Sequence, residues 1–104
     1  MNSIISVDLS RIPKRTDWDG FNQAILSNAE FNQVYAAVMA SHPLIAAALP
    51  AALTQVASGQ TAMFATVFTQ MCAVAEVSPS QRGIWADMAE NYHAPAEFVA
   101  VVRG

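Results

Sequence analysis

Apolar residues recur along this chain with two different periods. Within residues 1–16, Ile5, Val7 and Leu9 alternate with Ser6, Asp8 and Ser10, the two-residue period of an extended strand. From Thr16 onward the period is helical. Asp17 and Asp19 suit the positive end of a helix dipole, and Trp18, Phe21 and Ile25 share a face behind them. Ser27-Asn28-Ala29-Glu30 reads as a capping box, Ser27 and Glu30 each satisfying an orphan backbone donor of a new first turn. That helix is expected to run to about Ala40. Phe31, Val34, Tyr35, Val38 and Met39 give it a core stripe. Ala36, Ala37 and Ala40 form a flank small enough for a second helix to approach closely.

Ser41-His42-Pro43 ends that helix and starts another, with Pro43 at a first-turn position. Pro50 has no backbone donor, so it is expected to kink or divide residues 43–58. Ile45, Leu49, Leu53 and Val56 still line one side, and Gly59 is a natural C-terminal stop. Residues 61–77 should be the central helix. Phe64, Val67, Phe68, Met71, Val74 and Ala75 cover most of its circumference, which predicts enclosure. Ser78-Pro79-Ser80-Gln81 is another start signal, with Ser78 as cap and Pro79 in the first turn. Ile84, Trp85, Met88, Ala89 and Tyr92 then face one way, and Asp87, Glu90 and Asn91 the other. His93-Ala94-Pro95 breaks the pattern. The spacing of Phe98, Val101 and Val102 favours a helix over a strand for the apolar stretch 96–103. The expected fold is all-α: a compact bundle of five or six short helices, one domain over 17–104, behind an extended N-terminal arm at 1–16. Trp18 and Trp85 are expected as core anchors at opposite ends of the bundle. There is no internal repeat, and no linker long enough to divide domains.

Charge changes this picture most. Charged residues are 12% of the chain, against about 25% in ordinary soluble domains. From Phe31 to Ala75 there is no Asp, Glu, Lys or Arg over 45 residues. The hydrophobic fraction of 54% argues against disorder, and the net charge of −3 argues against a protein that coats nucleic acid. The uncharged run is too short between its prolines and polar residues to span a membrane. Its helical stripes suit a water-facing bundle, so no membrane partner is expected. One cysteine, Cys72, permits neither an internal disulfide nor a cysteine-based zinc site. The first residues lack a basic segment followed by an apolar one, so no secretory signal is expected and the reading is cytoplasmic.

Candidate chemistry is sparse. Residues 80–104 resemble the helix-turn-helix of bacterial repressors in register. Ala89 falls at the crossing position, and Met88, Tyr92, Ala94, Val99 and Val102 fall at the locking positions. Two departures stand out. His93 occupies the turn position that the pattern gives to Gly, and the second helix would present Ala96, Glu97 and Ala100 with only Arg103 basic. Base edges and phosphates call for Arg, Lys, Asn or Gln there. Arg11, Lys14 and Arg15 form a short basic arm that can meet phosphate, flanked by Asp8, Asp17 and Asp19. Glu90 and His93 have the E-x-x-H spacing of di-metal bundles, but no partner pair accompanies them. His42 suits a cap better than a metal, Cys72 behaves as a small apolar residue, and Asp17-Trp18-Asp19-Gly20 lacks the spacing of a calcium loop.

The expected function is therefore a small non-enzymatic interaction module. It would self-associate as a homo-oligomer, or dock on a protein partner, through apolar helix faces of the 31–75 region. Val38, Leu49, Leu53, Phe64 and Phe68 are expected as core or interface. No cofactor, metal or small-molecule substrate is indicated. The alternative is nucleic-acid binding through 80–104 and the arm, with Arg11, Lys14, Arg15, Arg82 and Arg103 as the contacts.

Overall fold

Three of the helix starts in this chain are set by short polar side chains, as the computed structural model shows over residues 15–104. Residues 1–14 lie outside the described residues, and with them most of the expected arm, including Arg11 and Lys14. Asp17 caps α1 (Trp18–Leu26), its carboxylate accepting from the Gly20 amide at 2.9 Å. Asn28 caps α2 (Ala29–Ser41), accepting from the Phe31 amide at 2.9 Å. This corrects the expected Ser27 box by one residue. Ser27 has helical backbone angles and closes α1, whereas Asn28 has the extended ones an N-cap requires.

The segment 43–58 is divided rather than kinked. α3 (Pro43–Ala47) stops at Ala48, and α4 (Leu49–Ala57) restarts with Pro50 in its first turn, where a missing amide costs no helix bond. The central α5 (Ala62–Val74) follows, then α6 (Pro79–Asn91), opened by the Ser78 hydroxyl accepting from the Gln81 amide. The apolar tail folds as α7 (Ala96–Arg103). Counting the divided segment once, the described residues form six helical rods. Among the described residues there is no strand, so the all-α bundle is the architecture.

Three of these helices end in the same way. The Ccap+1 amide of α4, α5 and α6 bonds the carbonyl three residues back, and the next amide bonds the one five back: Gln60 to Gln55, Val77 to Cys72, Ala94 to Ala89. This is the Schellman motif, and its left-handed residue is normally glycine. Gly59 fills it after α4, but Glu76 (φ 53°) and His93 (φ 63°) fill it after α5 and α6. The turn after α6 thus forms with the residue that the repressor-like pattern disfavours.

All five phenylalanines and both tryptophans touch in one continuous chain of rings. Trp18 meets Phe98 edge-on at 5.0 Å; Phe98 meets Phe21 and Phe64 at 5.3 and 5.4 Å. Phe64 stacks on Phe68, Phe68 meets Trp85 at 5.7 Å, and Trp85 meets Phe31 at 5.5 Å. The Trp85 indole N–H also donates to Asn28 Oδ1 at 3.0 Å, the same oxygen that caps α2. Around the rings lie Ile25, Val38, Leu49, Leu53, Val56, Met71 and Val102, together with buried Ala46, Ala52, Ala86 and Ala89. The close-packed alanines are thus these four. Ala36, Ala37 and Ala40, expected at a helix crossing, are exposed. Helix α5 buries Phe64, Val67, Phe68, Met71 and Cys72 but leaves Thr66, Thr69, Gln70 and Ala73 exposed. It is central without being fully enclosed, because its polar strip faces solvent.

Two substitutions should move stability in opposite directions. His93→Gly removes a left-handed penalty of about 1 kcal/mol and should raise the melting temperature by roughly 4–8 °C in a domain of this size. Gly20→Ala should lower it. A methyl there meets the Tyr92 ring at 2.7 Å, where α1 crosses α6, and also the Asp17 carboxylate that caps α1. Thermal melts followed by circular dichroism read both signs.

Candidate functional site

The five residues expected as core or interface all belong to the core. Val38, Leu49, Leu53, Phe64 and Phe68 are buried within one chain. A docking surface is sought among apolar side chains that folding leaves outside, and among the described residues four large ones are exposed: Leu44 at 87%, Ile84 at 55%, Leu26 at 50% and Met39 at 42%. Leu44 sits off the stripe formed by Ile45, Leu49, Leu53 and Val56, so helical geometry alone turns it outward. Met39 is the edge residue of the α2 stripe, which expected it inside. It is the outlying member of that stripe, and no neighbour covers it enough to bury it.

Met39 and Leu44 flank the corner Ser41-His42-Pro43. His42 holds the N-cap position of α3 through its backbone, but its ring makes no capping bond. Its Nδ1 lies 3.0 Å from the Ser41 hydroxyl instead. The outer sides of α2 and α3 next to the corner carry Ala36, Ala40 and Ala47, all exposed.

A groove of about 590 Å³ lies between α1, α2 and α4. Leu26, Phe31, Tyr35, Leu49, Pro50, Leu53 and Ala57 give it apolar walls, and Asn22, Asn32 and Thr54 its polar points. Among the described residues, no charged side chain lines it. Asn22 donates its amide to the Leu53 carbonyl at 2.9 Å, tying α1 to α4, while its Oδ1 is buried without a partner. Nothing in the hydrophobic pattern singles out Asn22, because its importance comes from a contact 31 residues away in sequence.

The repressor-like segment forms two packed helices, with Ala89 and Val102 fully buried and Val99 buried as well. Of the basic residues expected to reach nucleic acid, Arg82 and Arg103 are engaged within the protein. Arg82 donates to the Val101 and Val102 carbonyls at 2.7 and 3.0 Å, finishing the C-terminus of α7, and lies over the Phe68 ring. Arg103 lies between Asp87 and Glu90 at 3.3 and 3.1 Å. Arg15 is exposed. Thr16 and Asp17 attach the start of the described chain to the α6–α7 turn, through the His93 and Tyr92 carbonyls. Glu90 therefore faces Arg103 rather than His93, and no group of three His, Cys, Asp or Glu able to hold a metal occurs among the described residues. No helix among them is long and apolar enough to cross a membrane.

Cys72 is buried in α5. Burial pushes its thiol up from 9.0 to about 11, against a smaller opposing pull from Arg82. The folded state thus favours the protonated thiol. The associated stability is complete below about pH 9 and is lost as pH rises toward 11.

Compared with protein-family models, curated proteins and solved structures, the chain finds no match in any of the three.

The thiol makes a direct test. Urea melts of the wild type should lose more stability between pH 8.5 and pH 10.5 (values chosen about the two pKa limits) than melts of Cys72→Ala. A thiol reagent at neutral pH should label the native chain slowly and the urea-unfolded chain at once. Equal labelling rates would show that the thiol is open.

Proposed function

We propose that this protein is a small, non-enzymatic helical interaction module that self-associates, or docks on a protein partner, through the corner where α2 turns into α3. The observation that carries this reading is Leu44, a leucine left 87% exposed in the middle of a charge-free stretch. An apolar side chain that projects into water gains from being covered, at about 25 cal/mol per Å² before the costs of association. Met39 and the exposed alanines beside it extend the surface that a partner would cover.

Charge placement supports the same face. Residues 15–104 carry seven carboxylates and three guanidiniums, and all ten lie outside 31–75. Two copies meeting at the α2–α3 corner therefore bring no like charges together, whereas contact through α6 would oppose acidic faces. The same excess of carboxylate, with Arg82 and Arg103 already bonded internally, favours a protein partner over a polyanionic one.

Light scattering at micromolar concentration tests the proposal. The wild type should run above the mass of one chain, and the double variant Met39→Asp, Leu44→Asp at that mass. Its melting temperature should stay near the wild-type value, because exposed substitutions cost within about 0.5 kcal/mol each. A monomeric wild type from which no partner is lost on making the double variant would overturn the reading.

A further inference from the structure

We infer that the groove between α1, α2 and α4 is a binding site for a small aromatic molecule that carries one N–H or O–H donor and no charge. The inference concerns a different surface from the α2–α3 corner and does not depend on it. A volume of about 590 Å³ lies within the range of pockets that enclose small molecules, roughly 300–1,000 Å³. Its lining, apolar with few polar points, has the composition of such pockets.

The polarity of the ligand follows from where the lining spends its hydrogens. Asn22 Nδ2 donates to the Leu53 carbonyl. Asn32 Nδ2 donates to the Leu26 and Asn28 carbonyls, at 2.8 and 2.9 Å. The Thr54 hydroxyl donates to the Pro50 carbonyl at 3.0 Å. Asn32 and Thr54 spend their donors on the backbone, and Asn22 spends one of its two amide hydrogens there, so the buried polar atom of these three left without a partner is an acceptor, Asn22 Oδ1. The bond to Leu53 also fixes which way the Asn22 amide is turned, leaving Oδ1 as the atom without a partner. A ligand that supplies a donor satisfies it, and one that supplies only an acceptor does not. A charged ligand would lose its hydration with no opposite charge in the lining to replace it. The half-buried Tyr35 ring in the groove wall favours an aromatic body.

Asn22 Oδ1 is covered in the unliganded chain. Leu26 stands one turn further along α1, lines the same groove and is 50% exposed. A lining side chain such as Leu26 must swing aside for the ligand's donor to reach the acceptor.

Titrating the isotopically labelled chain with indole and with 1-methylindole tests this. The two probes share a ring system, and only the first carries a donor. Both should shift the resonances of Asn22, Leu53 and Ala57, with indole binding about tenfold more tightly, the worth of one net hydrogen bond. In Asn22→Leu the two affinities should converge to within about twofold. Should that variant fail to fold, Ala57→Phe, which fills the groove from an exposed wall position, must remove both probes. Equal affinity of the two probes for the wild type, shifts confined to other parts of the protein, or no binding at millimolar concentration would each overturn the inference. Light scattering with and without indole separates the occupants. An unchanged mass supports a small-molecule site, and dissociation by indole would show that a second copy fills the groove, overturning it.

Discussion

Trp85 makes two kinds of contact, and the arrangement of helices depends on both. Its ring lies between Phe68 of α5 and Phe31 of α2, at the end of the chain of aromatic contacts that runs back to Trp18. Its N–H donates to Asn28 Oδ1, an oxygen that also accepts from the Phe31 amide. One side-chain atom thus serves as the cap of α2 and as the receptor of α6. Ring packing is tolerant of small rotations, since edge-on and stacked pairs are both favourable. A hydrogen bond from a fully buried indole is not, because an unpaired N–H in the core costs about 1–3 kcal/mol. The bond therefore fixes the register of α6 against the α1–α2 corner, and the neighbouring rings settle around it.

Much of this architecture was legible in the residues. The all-α class, the division at Pro50, the stop at Gly59, the start at Ser78 and the helical tail all followed from local rules that the structure obeys. The departures share a physical origin. Ser27 and Asn28 are near-equal caps by type, and the choice fell to Asn28 because its oxygen also serves Trp85, a residue 57 positions away. Met39 and Ala36 looked like inward residues because periodicity marks a stripe without saying how wide a neighbour's cover is. Glu76 and His93 occupy left-handed positions that sequence preference gives to glycine, and the surrounding turn bonds hold them there.

The site was less legible than the fold, for a related reason. Val38, Leu49, Leu53, Phe64 and Phe68 are apolar residues that a core and an interface would both use, and only burial within one chain separates the two. Leu44 could be recognised from its angle on the helix wheel. Asn22 could not, since an unsatisfied carbonyl oxygen is a property of three-dimensional neighbours. The arginines show the converse. Arg82 and Arg103 read as free cations in sequence, yet one finishes a helix and the other lies between two carboxylates.

Phe98 has a consequence for the order of assembly. It contacts Trp18, Phe21 and Phe64, so a residue of α7 sits in the middle of the aromatic chain and in contact with its beginning, 80 positions earlier. During synthesis the first helix emerges with its apolar face exposed; α2 and α4 follow within 40 residues and cover part of it, but the Phe98 ring that meets Trp18 and Phe21 is made only 80 residues after Trp18. Local helices can form early, but the central contact waits until α7 is free to return. The interval is one in which unpaired aromatic surface meets the cell, and its length is set by the position of a single phenylalanine in the chain.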